Sequence, residues 1–103
     1  MHRIPVDTVA VLVAKTLVPY NLKPPDGEIE VLRSGLARHG EQLRGEVVRL
    51  GRADAAAVAL EDWRALIGSG PEDSPLGAWN HARALARAVK AFRHVIDSGP
   101  TEP

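Results

Sequence analysis

His39 has the neighbours best suited to chemistry in this sequence. It lies within a seam of apolar residues, and Glu46 follows two helical turns later. A histidine near a carboxylate can act as a general base where a pocket tunes its acidity. A buried histidine bonded to a neighbour serves packing instead. We favour this structural interpretation of His39 and assign no catalytic residue.

His81 and His94 cannot share a metal ion within one chain. His81 and His94 lie thirteen residues apart on one predicted helix, which separates them by about 20 Å. His94 and Asp97 are spaced to supply two ligands, but no second pair of this kind occurs. Cysteine is absent, and so are the glycine-rich loops that bind phosphate or dinucleotides. The sequence therefore predicts neither a metal nor a cofactor.

Four basic side chains form one continuous face of the last predicted helix. They are Arg83, Arg87, Lys90 and His94. A recognition helix that enters a DNA groove has this pattern. However, the preceding loop, residues 68–73, is long and acidic, and the rest of the chain offers few cations for phosphates. A solvated face is favoured, and a DNA-binding regulator is one alternative function.

Three large aromatic side chains, together with His39, define a candidate ligand pocket. They are Trp63, Trp79 and Phe92. In a bundle this small, tryptophans more often anchor the core than line a ligand site. Core packing is favoured, and a small-molecule binder or accessory enzyme is the second alternative function.

Apolar periodicity predicts four helices at about residues 6–18, 26–50, 54–67 and 75–97. Asp26 favours the start of the second helix, and Ser74 with Pro75 favours the start of the fourth. Gly40 and Gly45 interrupt the second helix and allow a kink or break there. The predicted fold is an all-α bundle in a single domain over residues 1–103.

The composition is that of an ordinary soluble globular protein. Apolar residues make up 45% of the 103 residues, charged residues make up 25%, and the formal net charge is zero. No apolar run is long enough to cross a bilayer, and the first residues do not resemble a signal peptide. With no cysteine, these features favour a cytoplasmic protein. The third predicted helix is acidic and the fourth basic, so we expect them to attract each other within the bundle.

The second and fourth helices together resemble a known family. The matching positions are Leu36, His39, Leu43, Glu46 and Val47 in the second helix, and Ala82, Arg83, Leu85, Ala86, Arg87 and Val89 in the fourth. The family comprises small actinobacterial proteins of unknown function labelled as natural product biosynthesis proteins. Gly40 and Gly45 depart from its pattern. The resemblance covers about residues 26–97 and implies an all-helical fold without known catalytic residues.

The first helix is apolar on two sides. Val9, Leu12, Val13 and Leu17 can face the core, which leaves a second stripe of Val11, Ala14 and Val18. A contiguous apolar stripe often marks an interface, and two-fold dimers are the commonest oligomers. The sequence therefore predicts a non-catalytic protein–protein interaction module that binds a second copy of itself and an unidentified protein. A role accessory to secondary metabolism would fit the resemblance.

Overall fold

Four α-helices build the chain in a computed structural model that describes residues 7–98. The helices are α1 (Thr8–Thr16), α2 (Asp26–Arg49), α3 (Ala57–Ser69) and α4 (Gly77–Ser98), with a short 3-10 helix at Tyr20–Leu22. No strand occurs among the described residues. The prediction of an all-α fold with four helices is confirmed. Residue 6, the predicted start of the first helix, lies outside the described range.

α2 is continuous through both glycines, so the break that the sequence allowed does not form. Gly40 is buried, and a Cβ at this position would overlap the Trp63 indole ring. Gly35 marks a second close approach, where a Cβ would lie 3.0 Å from Leu12 Cδ1. Glycine at these two positions therefore lets side chains from α3 and α1 pack directly against the α2 backbone.

α4 begins two residues later than predicted because the chain first makes a tight turn. The Ser74 carbonyl accepts a hydrogen bond from the Gly77 N–H at 3.0 Å, so Ser74 belongs to this turn and does not cap the helix. Gly77 is buried, and a Cβ there would overlap the Glu72 carbonyl. α3 likewise starts at Ala57, after a turn in which the Ala57 N–H donates to the Asp54 carbonyl at 3.3 Å.

α4 is the central helix and packs against α1, α2 and α3. The main cluster of buried residues comprises Leu36, Val47, Ala56, Trp63, Leu85, Ala86, Ala88, Val89 and Phe92. The inner face predicted for the first helix packs against this cluster. Ile29, Trp79 and Ala82 form a second, smaller cluster. The side of α4 that carries Arg87, Lys90 and His94 is left exposed.

Candidate functional site

His39 does not meet the carboxylate that its spacing suggested. It is half-buried and lines a cavity of about 410 Å³ between α1 and α2, together with Thr8 and Leu12. Glu46 instead accepts a hydrogen bond from Arg49 Nη2 at 2.5 Å. Within the described residues, no hydrogen bond joins His39 to Glu46. The arrangement needed for a general base is therefore not assembled there.

The aromatic residues of the candidate pocket lie in two different places. Trp63 and Phe92 pack edge to face with their ring centres 5.7 Å apart. Trp79 lies in the smaller buried cluster and donates from Nε1 to the Tyr20 carbonyl at 3.0 Å. All three side chains are fully buried, and Trp63 Nε1 is held by the Glu41 carboxylate at 2.7 Å. This hydrogen bond and Arg44 lower the pKa of Glu41.

His81 is buried and joins three helices through polar contacts. Its Nε2 lies 2.9 Å from the Leu66 carbonyl of α3, and its Nδ1 accepts from Arg33 Nε of α2 at 3.1 Å. Because a carbonyl only accepts, Nε2 is the donor to Leu66, and Nδ1 is the acceptor from Arg33. Glu30 holds Arg33 through two hydrogen bonds of 2.7 and 2.8 Å. With both nitrogens in use, His81 is a structural residue.

No metal site is found in the described part of the chain. No group of three or more histidine and carboxylate side chains is close enough there to hold an ion. His94 is exposed near the end of α4, and Asp97 lies 3.9 Å from Arg93 Nε. The pair at positions 94 and 97 is therefore not completed by a third ligand among the described residues.

Arg83 does not share the exposed surroundings of the other basic residues of α4. Its side chain binds the end of α1 instead. Its Nη1 donates to the Thr16 carbonyl at 3.1 Å and also to the Val18 carbonyl. The guanidinium lies 5.4 Å from the ring centre of Tyr20 and 5.3 Å from that of Trp79. It thus satisfies the Thr16 carbonyl, which α1 leaves without a helical partner, and the Val18 carbonyl just beyond the helix. Arg87, Lys90 and His94 remain exposed on the outer side of α4.

The three residues of the apolar stripe predicted on α1 do not share one environment in the structure. Val11 is 41% exposed and Ala14 is exposed, as a free interface would require. Val18 lies just beyond the helix and packs against the cluster of Ile29, Trp79 and Ala82. Only two of the three predicted interface residues are therefore available to a partner. The homodimer through α1 stays a prediction.

An open groove runs between α3 and α4, with a volume of about 710 Å³. Alanine is the commonest residue of its lining, with Ala55, Ala56, Ala57, Ala59 and Ala65 from the α3 side and Ala84, Ala88 and Ala91 from α4. We call this surface the α3–α4 groove. Asp54 and Asp62 lie on its α3 wall, and Arg87 lies on its α4 wall.

The α3–α4 groove was not identified from the sequence, although its signal is present. On the α3 side, the lining residues recur at spacings of three and four: Ala55, Val58, Asp62, Ala65 and Ser69. Such a repeat presents one continuous stripe of a helix. The pattern is easily missed because alanine contributes little to an apolar periodicity, and because Trp63 and Leu60 dominate the same segment.

The groove can make apolar contacts and ion pairs with a partner. It offers short apolar side chains, and opposite charges on its two walls. No helix of the described residues is long and apolar enough to pass through a membrane.

No curated protein and no solved structure matches the chain. A family profile matches residues 7–99, and the chain therefore belongs to the family of unknown function DUF6415.

Proposed function

We propose that the protein is a non-catalytic interaction module that binds a helix of a protein partner in the α3–α4 groove. The observation that carries this proposal is the lining of the groove by alanines from two neighbouring helices. Helix axes approach to about 8–10 Å, and short side chains at the contact permit the lower end of that range. A third helix can therefore lie against both walls.

The spacing of the lining residues also suits a helix. On α4, Ala84, Ala88, Ala91 and Val95 recur at intervals of four, three and four residues, like those on the α3 side. The ridges of a docked helix recur at the same intervals, so its side chains can enter the gaps between the alanines. Helix-in-groove binding is a common mode of peptide recognition.

A nucleic acid suits this surface less well. The carboxylates of Asp54 and Asp62 lie on the same groove as Arg87 and would repel phosphates. Arg83 is already bound to the end of α1. The chain also has no net positive charge that would attract a polyanion.

The cellular setting belongs to the same proposal. The resemblance of α2 and α4 to actinobacterial proteins labelled for natural product biosynthesis supports a role accessory to secondary metabolism. A chain without cysteine is compatible with the reducing cytoplasm.

Site-specific photo-crosslinking tests the proposal. A photoreactive amino acid at Val58, on the edge of the groove, should form adducts that mass spectrometry maps to one helical segment of a partner. Val31 is the matched control, because it is an exposed valine on α2 that lines the α1–α2 cavity instead. Ala65→Gln fills the groove from an exposed position and should abolish the adducts while the circular dichroism stays unchanged. Equal adducts at both valines, or adducts that survive Ala65→Gln, would contradict the proposal.

A further inference from the structure

We propose that the helix bound in the α3–α4 groove is α3 of a second copy of the same chain, related to the first by a two-fold axis. Each copy would place its own Val58 in the groove of the other. This inference rests on the proposed function, since it names the partner of the same groove.

Val58 is the first reason. Its side chain is 77% exposed, more than any other large hydrophobic residue in the described part of the chain, where Val31 follows at 67%. It belongs to the lining of the groove, so an apolar projection lies directly beside an apolar hollow. A two-fold axis places the projection of one copy opposite the hollow of the other, as a self-complementary interface requires.

The charges on the two walls are the second reason. In the described part of the chain, no ion pair connects α3 to α4. The attraction expected between the acidic third helix and the basic fourth helix is therefore not realised by direct contacts within one copy. When the α3 wall of each copy lies against the α4 wall of the other, Asp62 of each copy faces the partner's Arg87. The dimer therefore contains this contact twice, once on each side of the axis.

A second copy is also compatible with this surface on the scale of the whole chain. The formal net charge is zero, so two copies approach without net repulsion. A two-fold contact between the α3–α4 grooves also leaves α1 out of the interface. This agrees with Val18, which packs into the core of its own chain.

Charge reversal provides the decisive experiment. The oligomeric state is measured by analytical ultracentrifugation across the micromolar range, where we expect a dimer for the unmodified protein. Asp62→Arg places two arginines at each contact, and Arg87→Asp places two aspartates there. Each variant alone should raise the dimer dissociation constant by about tenfold or more. An equimolar mixture of the two variants should dimerise again, because both contacts in the mixed dimer are then complementary.

The controls separate this geometry from other effects of charge. Glu61→Arg and Lys90→Asp make the same charge changes on α3 and α4 at exposed positions outside the groove lining, and they should leave the dimer intact. Val58→Ser should weaken the dimer, whereas Val31→Ser should not. Circular dichroism verifies that each variant is folded. Because both valines are highly exposed, we expect neither serine substitution to unfold the chain.

Three results would overturn the inference. One is a monomer at every concentration for the unmodified protein, and another is a dimer that Val58→Ser and both charge reversals leave unchanged. The third is recovery in the double variant Asp62→Arg/Arg87→Asp without recovery in the mixture, which would place the pair within one chain. If the protein is monomeric but position 58 still crosslinks to another protein, this inference fails and the proposed function of the groove stands.

Discussion

At the scale of single residues, the glycines of α2 decide how closely the other helices approach it. Trp63 lies across the backbone at Gly40, with its indole Nε1 bonded to Glu41 in the next position. Gly45 lies one and a half turns further along, and no atom lies within 4 Å of where its Cβ would be. The two glycines thus have the same helix propensity and opposite surroundings.

Alanine substitutions at these two glycines should change stability in opposite directions. Gly40→Ala adds a Cβ that overlaps the Trp63 ring, and overpacking of this kind costs about 1–3 kcal/mol. Gly45→Ala gains helix propensity without a clash and should stabilise the fold by up to about 1 kcal/mol. Urea unfolding followed by circular dichroism measures both. If both variants were stabilised alike, Trp63 could not lie against Gly40.

Asp7 has two roles at the start of α1. Its carboxylate accepts from the Ala10 N–H at 3.0 Å, and it binds the Arg93 guanidinium of α4 at 3.0 and 2.8 Å. The Arg93 hydrogen bonds, followed by the Ala10 hydrogen bond, lower the pKa of Asp7 from 3.8 to about 2. The ionised form is therefore favoured by folding, which ties the first helix to the last.

This pKa shift predicts a pH dependence of stability. A carboxylate whose pKa is lower in the folded state stabilises the fold above its unfolded pKa. The contribution of Asp7 is complete above pH 3.8 and is lost as the pH falls towards about 2. Asp7→Asn should therefore unfold at lower urea concentration at pH 6 and show a shallower loss of stability between pH 4 and 2. Glu61→Gln, at an exposed carboxylate without an ion pair in the described residues, should leave that dependence in place.

At the scale of secondary structure, the sequence predicts what periodicity controls. The four helices, and the inner face of α1 that includes Leu12 and Leu17, follow from apolar spacing and are found in the structure. The starts of α3 and α4 shift because turns held by backbone hydrogen bonds precede them. The α3–α4 groove and the contacts of Arg83 depend on how helices are placed relative to one another, which local spacing does not specify.

Arg83 illustrates this difference, because it shares a face with Arg87 in the sequence but not an environment in the fold. Arg83→Ala removes hydrogen bonds to the carbonyls at the end of α1 and the contacts with Tyr20 and Trp79. Hydrogen bonds to charged groups contribute about 1.5–3 kcal/mol, and we expect a loss in this range. Lys90→Ala, at an exposed position of α4 outside the groove lining, should change the free energy of unfolding by less than about 0.5 kcal/mol. Equal effects in urea unfolding would contradict the capping role of Arg83.

At the scale of the whole molecule, the bundle is flat. Its extents are 48 × 41 × 21 Å, and the shortest equals about two helix diameters. α4 packs against all three other helices, yet its outer side has no helix above it. α4 thus packs its buried face into the core, whereas the α3–α4 groove, which shares Ala88 with the main buried cluster, stays open.

This architecture predicts an order of local stability, which amide hydrogen exchange can measure. Amides of α4 between Leu85 and Phe92 lie at the centre of the main buried cluster, so their exchange should require global unfolding. α1 is short, and among its residues only Thr16 is fully buried, so its amides should exchange faster through local opening. Arg83→Ala should speed exchange in α1 further, because it removes a link between α1 and α4. The exchange of the central α4 amides should still require global unfolding, because no contact within α4 is lost. If α1 were as protected as the centre of α4, the two helices would open together and α4 would not be a separate central unit.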